Sequence, residues 1–515
     1  MNEIHAGVKP AGAIPGQQLQ FRGYTFLGAT QSLCPECLAL VPAKIVERNG
    51  RVYFRKRCPT HGPREDYVCS DVHWFDRTDY SLPGKVPELF GTAPDRGCPY
   101  DCGLCSEHEQ HTCIGLVEIN SACNLECPMC FAGSGPGGDH LSVQDCQRAI
   151  DRLVEVEGRP EIVQLSGGEP TIHPQFMEVC RYACDQPIDI VMINTNGIRL
   201  AHDRRLVEQL AELRHRIEIY LQMDGFNDDG CRTLRGESLV ETKLRAIERL
   251  GEAGIRTILV CTVQPDANDQ EMGRLVQFGS QRRWITGVSF QPATYCGRFV
   301  LPDELERRIT FPDVIKGVCR QTNGEWLESD FSPLPCAHPN AHTISYAYRY
   351  GEQLVPLARF VDLDNHLDLL SGRITFNRER ASKLIAEYLS RLSCGSDGCA
   401  EGAPEFSTFR DRSPAERTGK TPVVFTGKGM PSDAAAEEFF ERALLQELAP
   451  EDVFRVTTTS FMDAYNFDVR QLMKSCVHHV LPSGHLIPFS AYNVLYRQGH
   501  VPLPPLKDVM ASQFV

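Results

Sequence analysis

Three cysteines occupy eight positions in the stretch SACNLECPMCFAGSG, residues 121–135. They are Cys123, Cys127 and Cys130, with the spacing C-x3-C-x2-C. Loops this short suit several thiolates that converge on one metal centre better than internal disulfides. Three thiolates can hold three irons of a [4Fe–4S] cluster and leave the fourth iron open, which is typical of a reactive site. The alternative for this spacing is a structural zinc knot.

The chain has 22 cysteines, and two more groups resemble cluster ligands. The segment RGCPYDCGLCSEHEQHTC predicts a closed second [4Fe–4S] cluster held by Cys98, Cys102, Cys105 and Cys113, or a structural Zn(Cys)4 site. A more loosely spaced quartet predicts a third cluster; its members are Cys319, Cys336, Cys394 and Cys399. His338 or His342 could replace one of these four cysteines. The alternative for the late quartet is a set of buried thiols.

A further group of cysteines lies near the N-terminus. Cys34, Cys37 and Cys58 predict a knuckle of the rubredoxin-like or zinc-ribbon kind, which binds one Fe or Zn ion. Either Cys69 or His61 could supply the fourth ligand.

Alternating strands and helices must position the three-cysteine loop. Short apolar runs predict six buried parallel strands, at 115–120, 161–168, 189–197, 216–225, 256–265 and 285–292. Amphipathic helices are predicted between them, at 142–157, 202–214 and 237–253, with Ser142 as the first N-cap. This α/β pattern predicts a curved partial barrel or a doubly wound sheet, and in both the site lies at the carboxyl ends of the strands.

Polar and glycine residues follow these strands and are candidate ligand-binding groups. The sequence GGEP supplies Gly167, Gly168, Glu169 and Pro170 after the second strand. The glycines would let backbone approach a ligand, and Glu169 could receive an ammonium group. Hydrogen bonds to a carboxylate or ribose could come from Asn194, Thr195, Asn196, Gln222 and Asp224. The alternative for those five residues is ordinary capping of strand ends.

CxxxCxxC followed by GGEP resembles the radical SAM superfamily, with Met129 before the last cysteine and Phe131 after it. The resemblance implies a partial (β/α)6 barrel with S-adenosylmethionine chelated to the open iron of a [4Fe–4S] cluster. An electron from the cluster then cleaves the sulfonium, and a 5′-deoxyadenosyl radical abstracts a hydrogen atom. Cys123, Cys127 and Cys130 would be the catalytic cluster ligands.

The order of parts over about residues 30–500 resembles one subgroup of that superfamily. The subgroup contains the class D radical SAM methyltransferases, which act on a pterin, and tetraether synthase, which joins lipid tails. The resemblance implies C–C bond formation at an unactivated carbon, with a methylene-folate-type donor in the class D members. The C-terminal motif departs from the subgroup, because Ser475 and Ser490 stand where cysteines are usual. Cys476 is a candidate ligand there; Asp463, Asn466 and Asp468 would line a pocket or cap helices.

The predicted organisation has seven parts. They are a tail at 1–29, a metal knuckle at 30–96, a cluster segment at 97–114, the barrel at 115–310, a second auxiliary-cluster region at 311–400, a linker at 401–430 and a C-terminal domain at 431–515.

Charge and composition argue against some classes of function and cellular location. A net charge of −14 argues against nucleic-acid binding, and no apolar run is long enough to cross a bilayer. Without a secretory signal and with many thiolates, the chain is expected in the cytoplasm. We expect a small-molecule or lipid substrate and a low-potential electron donor such as ferredoxin or flavodoxin. The alternatives are a radical SAM enzyme that modifies peptides or other substrates, and a non-enzymatic multi-cluster electron-transfer protein.

Overall fold

The structure is a computed structural model that describes residues 23–363, 365–367, 378–393 and 432–513. Four antiparallel strands form an N-terminal ribbon and pair in chain order. They are β1 Thr25–Leu33, β2 Leu40–Arg48, β3 Arg51–Cys58 and β4 Gly62–Cys69. Asn49 and Gly50 both have positive φ in the turn between β2 and β3, as a two-residue hairpin requires. The predicted linker, 401–430, lies outside the described residues.

Six parallel strands form the centre of the main sheet and confirm the six predicted strands. They are β6 Ile114–Glu118, β7 Ile162–Ser166, β8 Ile190–Thr195, β9 Ile217–Gln222, β10 Thr257–Val263 and β11 Ile285–Pro292. Each strand lies beside its predecessor, in the order β6-β7-β8-β9-β10-β11. The order never reverses as in a doubly wound sheet, so right-handed crossovers place the helices on one face. The strands therefore form a partial (β/α)6 barrel.

In the described residues, seven helices lie between the parallel strands in the sequence and five more follow β11. They are α1 Val143–Glu157, α2 Phe176–Asp185, α3 Ile198–His202, α4 Arg204–Glu212, α5 Asp228–Arg235, α6 Val240–Glu252, α7 Met272–Ser280, α8 Phe311–Gln321, α9 Arg378–Ser393, α10 Ser432–Leu444, α11 Val469–Met473 and α12 Phe489–Ala491. A π-helical turn, Tyr492–Tyr496, follows α12. The short 3-10 turns are Thr78–Tyr80, Pro170–Ile172, Leu305–Arg307, Glu328–Asp330, Leu357–Arg359, Pro450–Asp452 and Ala511–Gln513.

The first barrel helix shows how sequence sets these bounds. The Ser142 hydroxyl accepts a hydrogen bond from the Asp145 backbone N–H, which confirms the predicted N-cap of α1. Ile150 and Leu153 then recur at helical spacing and are fully buried in the main core. Gly158 ends the helix with a φ of 66°.

Later segments of the chain extend the sheet at both edges. Beyond β11 lie β15 Val453–Thr459, β13 His342–Tyr350, β12 Ser332–Pro333 and β14 Gln353–Pro356; beyond β6 lie β16 Val477–Val480 and β17 Leu486–Pro488. A separate pair joins β5 Leu89–Phe90 to β18 Val509–Met510. The parallel strands β6 and β11 are thus covered, and neither is an exposed edge. Within the described ranges, no helix is long and apolar enough to cross a membrane.

Candidate active site

A cavity of about 1010 Å³ lies at the carboxyl ends of the parallel strands and contains most of the predicted site residues. The three cysteines of the loop after β6 line it, together with residues that end β7, β8 and β9. The predicted residues in its lining are Cys123, Cys127, Cys130, Gly167, Gly168, Glu169, Asn194, Thr195, Asn196 and Gln222. Residues far apart in the sequence therefore meet at one edge of the sheet.

The three-cysteine loop is held in place by Arg298, which follows β11. The Arg298 guanidinium donates to the backbone oxygens of Cys127 at 2.5 Å and Ser134 at 2.8 Å. Cys130 and Arg298 also exchange two backbone hydrogen bonds, at 2.8 and 2.9 Å. These contacts tie the middle and the far end of the loop to the segment that follows the last barrel strand, so the thiols converge on the cavity.

The three thiols fit a cluster with an open coordination position. Each is half-buried, and no other cysteine lines this cavity in the part of the chain described. Burial raises the pKa of Cys123 to about 12 and also raises the pKa of Cys127. Thiolates in this setting need the positive charge of a bound metal, because the metal ligand is the deprotonated form.

The two glycines of GGEP allow the second loop to pack against the first. The Gly168 N–H donates to Asn120 O, and the Glu169 N–H donates to Ala122 O, both at 2.9 Å. A side chain at Gly168 would place its Cβ 2.2 Å from Ala122 O. Gly167 is equally tight, and its φ of 135° excludes most other residues. The glycines thus seat the GGEP loop on the base of the cysteine loop.

The Glu169 carboxylate is buried and already bound by its own chain. Oε1 accepts from the Thr171 N–H at 3.0 Å and from the hydroxyls of Thr171 and Thr195 at 2.5 and 2.8 Å. Oε2 accepts from the Asn196 N–H at 2.8 Å. Burial raises the pKa of Glu169 even so. This side chain joins the ends of β7 and β8; its contact with an ammonium group stays a prediction.

Asp224 does not line the cavity, contrary to its predicted place beside the cofactor. Its carboxylate instead pairs with Arg235 from α5 at 2.7 Å, and the side chains are 2% and 11% exposed, respectively. Burial alone would raise the pKa of Asp224, but Arg235 and Lys243 hold it below the usual value. Arg235 reaches the cavity and donates to Gln222 Oε1 at 3.0 Å. Pro170 is also absent from the lining, because it begins a buried 3-10 turn.

Four residues in the cavity lining were not predicted from the sequence: the cation Arg235 and the polar residues Thr262, Gln291 and Thr294. Arg235 shares its helix with one other arginine, and no motif distinguishes it from that exposed residue, Arg232. Thr262 and Gln291 are polar residues near the carboxyl ends of the apolar strands β10 and β11. That position at the active edge of the sheet was the one sequence signal that could have identified them.

The ribbon forms a compact four-ligand group. Sulfur and nitrogen atoms of Cys34, Cys37, Cys58 and His61 all lie within 4.8 Å of one another. His61 Nδ1 is 3.5 Å from Cys34 Sγ and 3.6 Å from Cys58 Sγ. Cys69 instead packs into the main core, with its thiol donating to Asp71 O at 3.4 Å. Of the two candidates for fourth ligand, the structure places His61 at this group.

The auxiliary cysteines are grouped differently from the prediction. Cys98, Cys102 and Cys105 line a small cavity with His108. Cys113 is not in that lining; at the start of β6 it lies beside Cys476 of the neighbouring β16 edge, and its N–H donates to Cys476 O at 2.9 Å. The strand pairing thus draws Cys113 away from the first three cysteines.

The predicted third group, Cys319, Cys336, Cys394 and Cys399, is not brought together as one set in the described residues. Cys336 is buried with Cys113 and Cys476, whereas Cys319 lies on α8 against the main core. Cys394 and Cys399 lie outside the described residues. The sequence could not show that Cys336 lies with Cys113 and Cys476, because these three cysteines come from distant segments that meet only in the folded sheet.

A second chamber of about 500 Å³ adjoins the cavity and shares Pro292 and Phe461 with it. Asn466 and Asp468 line this chamber, while Asp463 is fully buried and pairs with Arg308 at 2.7 Å. Asp468 is also the N-cap of α11, where it accepts from the Arg470 N–H. Of the two roles weighed for these residues, the structure therefore gives Asp468 both.

A parallel partial barrel with a three-cysteine loop after its first strand and GGEP after its second defines a class of enzymes. The chain belongs to the radical SAM superfamily, whose family model matches residues 117–279. A second model, the HMPTM N-terminal zinc ribbon domain, matches residues 26–70. The ribbon is therefore a zinc-ribbon domain, and the chain is an enzyme of the radical SAM kind.

The chain is similar over nearly its whole length to 7,8-dihydro-6-hydroxymethylpterin dimethyltransferase of Methanocaldococcus jannaschii. The two are 31% identical over 500 residues, which cover 91% of this chain and 94% of that protein. Mycofactocin maturase MftC of Mycobacterium tuberculosis is 28% identical over 167 residues, or 32% of this chain and 41% of that one. A solved radical SAM methyltransferase from Sphaerobacter thermophilus covers 59% of this chain and 76% of its own, at 13% identity and a TM-score of 0.28.

Proposed function

We propose that the protein is a radical SAM methyltransferase that forms a C–C bond on a reduced pterin. The whole-length similarity to a pterin dimethyltransferase supports this substrate class over a lipid. The observation that carries the proposal in the structure is the chamber beside the reactive cavity, because it meets a requirement that separates the two substrates. A lipid coupler needs a long apolar tunnel, whereas a pterin needs a compact pocket with a carboxylate.

The lining of the chamber has the chemistry of a site for a flat heterocycle. Aromatic rings of Phe54, Phe75, Phe311 and Phe461 offer stacking faces. Amide and carboxylate groups complete the lining; they belong to Asn340, Asn466, Gln471 and Asp468. Such groups can pair with the ring nitrogens, amino group and carbonyl of a pterin.

The reactive cavity would hold the cofactors next to this chamber. Cys123, Cys127 and Cys130 would bind a [4Fe–4S] cluster, and the ends of β7, β8 and β9 would bind S-adenosylmethionine. When bound, these cofactors supply a carbon radical that removes a hydrogen atom from an unactivated C–H bond. A low-potential ferredoxin or flavodoxin would serve as electron donor, and a methylene-folate-type compound as the source of the new carbon.

The chain's own residues would position the substrate and exclude water. Phe461 and Pro292 form the boundary between chamber and cavity, so a pterin ring in the chamber would present one edge to the cofactors. Phe461 stacks on Phe489 with ring centroids 3.8 Å apart, and both rings line the cavity. This apolar wall would keep solvent from a reactive radical.

The test is a direct comparison of substrates. The anaerobic protein is incubated with S-adenosylmethionine, dithionite and a methylene-folate donor, and with either 7,8-dihydro-6-hydroxymethylpterin or a diether lipid. We expect a methylated pterin by mass spectrometry and an unchanged lipid. Gln471→Ala should raise the KM for the pterin several-fold, whereas Gln277→Ala, on α7 outside both cavities, should not. Alkylated lipid and unchanged pterin would overturn the proposed substrate.

A further inference from the structure

The N-terminal zinc ribbon forms part of the wall of the chamber that we propose as the pterin site. Phe54 on β3 and two residues of β4, Val68 and Cys69, line the chamber together with residues of the barrel and of the C-terminal segment. The Ser70 N–H, just after β4, donates at 3.1 Å to the hydroxyl of Thr310, which also lines the chamber. The ribbon therefore contributes side chains to the same site as the rest of the chain.

A turn at residues 463–468, the C-terminal turn, supplies another part of the chamber wall. Asn466 and Asp468 from this turn line the chamber. The Asn466 Oδ1 accepts from the Asp463 N–H at 2.8 Å, and the Asp463 carboxylate pairs with buried Arg308 at 2.7 Å. These contacts hold the start of the turn. The backbone oxygens of the next residues need partners of their own, because buried carbonyl groups are rarely left unpaired.

Lys56 on β3 of the ribbon supplies the donor for these oxygens. Its ammonium group donates to the backbone oxygens of Ala464 at 3.3 Å and Tyr465 at 2.6 Å. The same nitrogen donates to Leu33 O at 3.0 Å and lies 3.0 Å from the Asp66 carboxylate on β4. The Lys56 side chain is fully buried, so any movement would leave a charge without partners in the interior. Lys56 therefore fixes the ribbon to the C-terminal turn.

Thr30 on β1 of the ribbon makes a second contact, directly to a residue that lines the chamber. Its hydroxyl donates to Asp468 Oδ1 at 2.6 Å. A hydrogen bond to a carboxylate is stronger than one between neutral groups. The same carboxylate accepts from the backbone N–H and the guanidinium of Arg470 at 2.6–3.2 Å. The position of Asp468 on the chamber wall therefore depends on Thr30 of the ribbon as well as on its own segment.

We propose that the zinc ribbon is part of the substrate site and that Lys56 and Thr30 are its positioning residues. The two side chains hold the C-terminal turn so that Asn466 and Asp468 keep fixed places on the chamber wall. Neither Lys56 nor Thr30 lines the chamber, so both act through the turn. This inference rests on the proposed function, because it takes the chamber as the place where the pterin binds.

The metal ligands of the ribbon lie next to the contacts of Lys56. Leu33, whose backbone oxygen accepts from Lys56, directly precedes Cys34, and Cys58 follows Lys56 by two residues on β3. A metal ion held by these cysteines would fix the two strand ends that Lys56 connects. Metal binding at the ribbon and pterin binding in the chamber should therefore support each other, since a coupling between two sites acts in both directions.

Two variants of Thr30 separate its hydrogen bond from its shape. Thr30→Val keeps the shape of the side chain and removes the hydroxyl, whereas Thr30→Ser keeps the hydroxyl. We expect Thr30→Val to raise the KM for 7,8-dihydro-6-hydroxymethylpterin about 2–10-fold, the effect of one hydrogen bond, with a smaller change in kcat. Thr30→Ser should stay close to wild type. An unchanged KM in Thr30→Val, or an equal rise in Thr30→Ser, would overturn the role of Thr30.

Hydrogen–deuterium exchange of the full chain tests the contacts without any substrate. Peptides that cover the C-terminal turn should exchange faster in Lys56→Met than in wild type, because the turn loses its donor. Lys44→Met is the matched control at an exposed lysine of β2 in the same ribbon, and it should exchange like wild type.

The two experiments fail in different ways. If Lys56→Met loses the ribbon's zinc, exchange in Thr30→Val, which leaves the Lys56 contacts in place, gives the comparison. Wild-type exchange of the C-terminal turn in both Lys56→Met and Thr30→Val would overturn this inference. A wild-type protein that binds and methylates no pterin would instead overturn the proposed function.

Discussion

At the scale of single residues, the buried pair of Arg235 and Asp224 supports the wall of the cavity. Replacing Arg235 by Gln would leave the Asp224 carboxylate buried without its partner, at 2% exposure. We expect the free energy of unfolding to fall by about 3–5 kcal/mol, as measured by urea denaturation. Arg232→Gln is the control: this arginine pairs with Asp229 on the exposed face of the same helix, so its loss should cost about 0–1 kcal/mol. Equal losses in both variants would contradict this account.

The same pair predicts a change in acid stability. Arg235 holds the pKa of Asp224 below its usual value, so the pair's stabilisation is fully present above the unfolded-state pKa of about 3.9. It is lost as the pH falls through the lower pKa of the folded state. Without Arg235, the pKa of Asp224 should be higher than in the wild-type protein, because burial is then opposed only by Lys243 and the Thr262 N–H, and acid unfolding should begin at a higher pH. Acid unfolding monitored by circular dichroism would show this shift; an unchanged midpoint in Arg235→Gln would argue against it.

The sequence predicts the residues of a motif far better than the residues that hold the motif in place. Cys123, Cys127 and Cys130 were predicted from spacing, and the structure brings them to one cavity. Arg235 and Arg298 have no spacing that distinguishes them, because the partners of Arg298 are distant backbone oxygens and the partner of Arg235 is the Asp224 carboxylate in the loop after β9. The support of a site depends on tertiary contacts, which no local pattern contains.

At the scale of elements, the junction between the GGEP loop and the cysteine loop depends on the absence of a side chain. Gly168→Ala would push its Cβ against Ala122 O, a backbone atom that cannot move aside cheaply. We expect a loss of about 1–3 kcal/mol in stability, seen as a lower Tm, together with reduced iron in the SAM-loop cluster. Gly135→Ala, in the cysteine loop, is a fair control, since its Cβ would meet nothing within 4 Å. A normal Tm and full iron in Gly168→Ala would show that the junction tolerates a methyl group.

The N-terminal ribbon allows a test of which residue, His61 or Cys69, is the fourth metal ligand. His61→Ala should abolish metal binding at the ribbon, because His61 completes the group formed by Cys34, Cys37 and Cys58. Cys69→Ala should leave bound zinc unchanged, because that thiol faces the main core. Zinc per chain by mass spectrometry of metals separates the two variants. Zinc lost from Cys69→Ala and kept in His61→Ala would reverse the assignment.

The ribbon and the auxiliary cysteines also show where element-level prediction stops. Three ribbon ligands, Cys34, Cys37 and Cys58, could be predicted from their spacing, and only the fourth ligand stayed open between Cys69 and His61. Cys113 and Cys476 are far apart in sequence and meet because β16 pairs with β6. Pairing between strands so distant is set by the whole fold, so the sequence could predict cysteine-rich regions but not which cysteines meet.

At the scale of the whole molecule, one sheet joins the reactive cavity to segments from the end of the chain. The strand β15 covers β11, and β16 covers β6, so residues after 450 complete both edges of the barrel. The same segments supply Phe461 and Phe489 to the cavity. The six central strands were predictable from their apolar runs, whereas β15 and β16 were predicted only as part of a closing domain. Their role depends on edges that exist only after the barrel forms.

The most direct test of the central claim is 5′-deoxyadenosine release from S-adenosylmethionine by the anaerobic, reduced protein. We expect wild type to release it and Cys127→Ala to release none, because Cys127 lines the cavity as one of the three proposed cluster ligands. Cys261→Ala is the control, since that buried thiol on β10 lies outside the cavity lining and should keep most of the activity. Release by Cys127→Ala at the wild-type rate would contradict the assignment of the cavity as the radical-generating site.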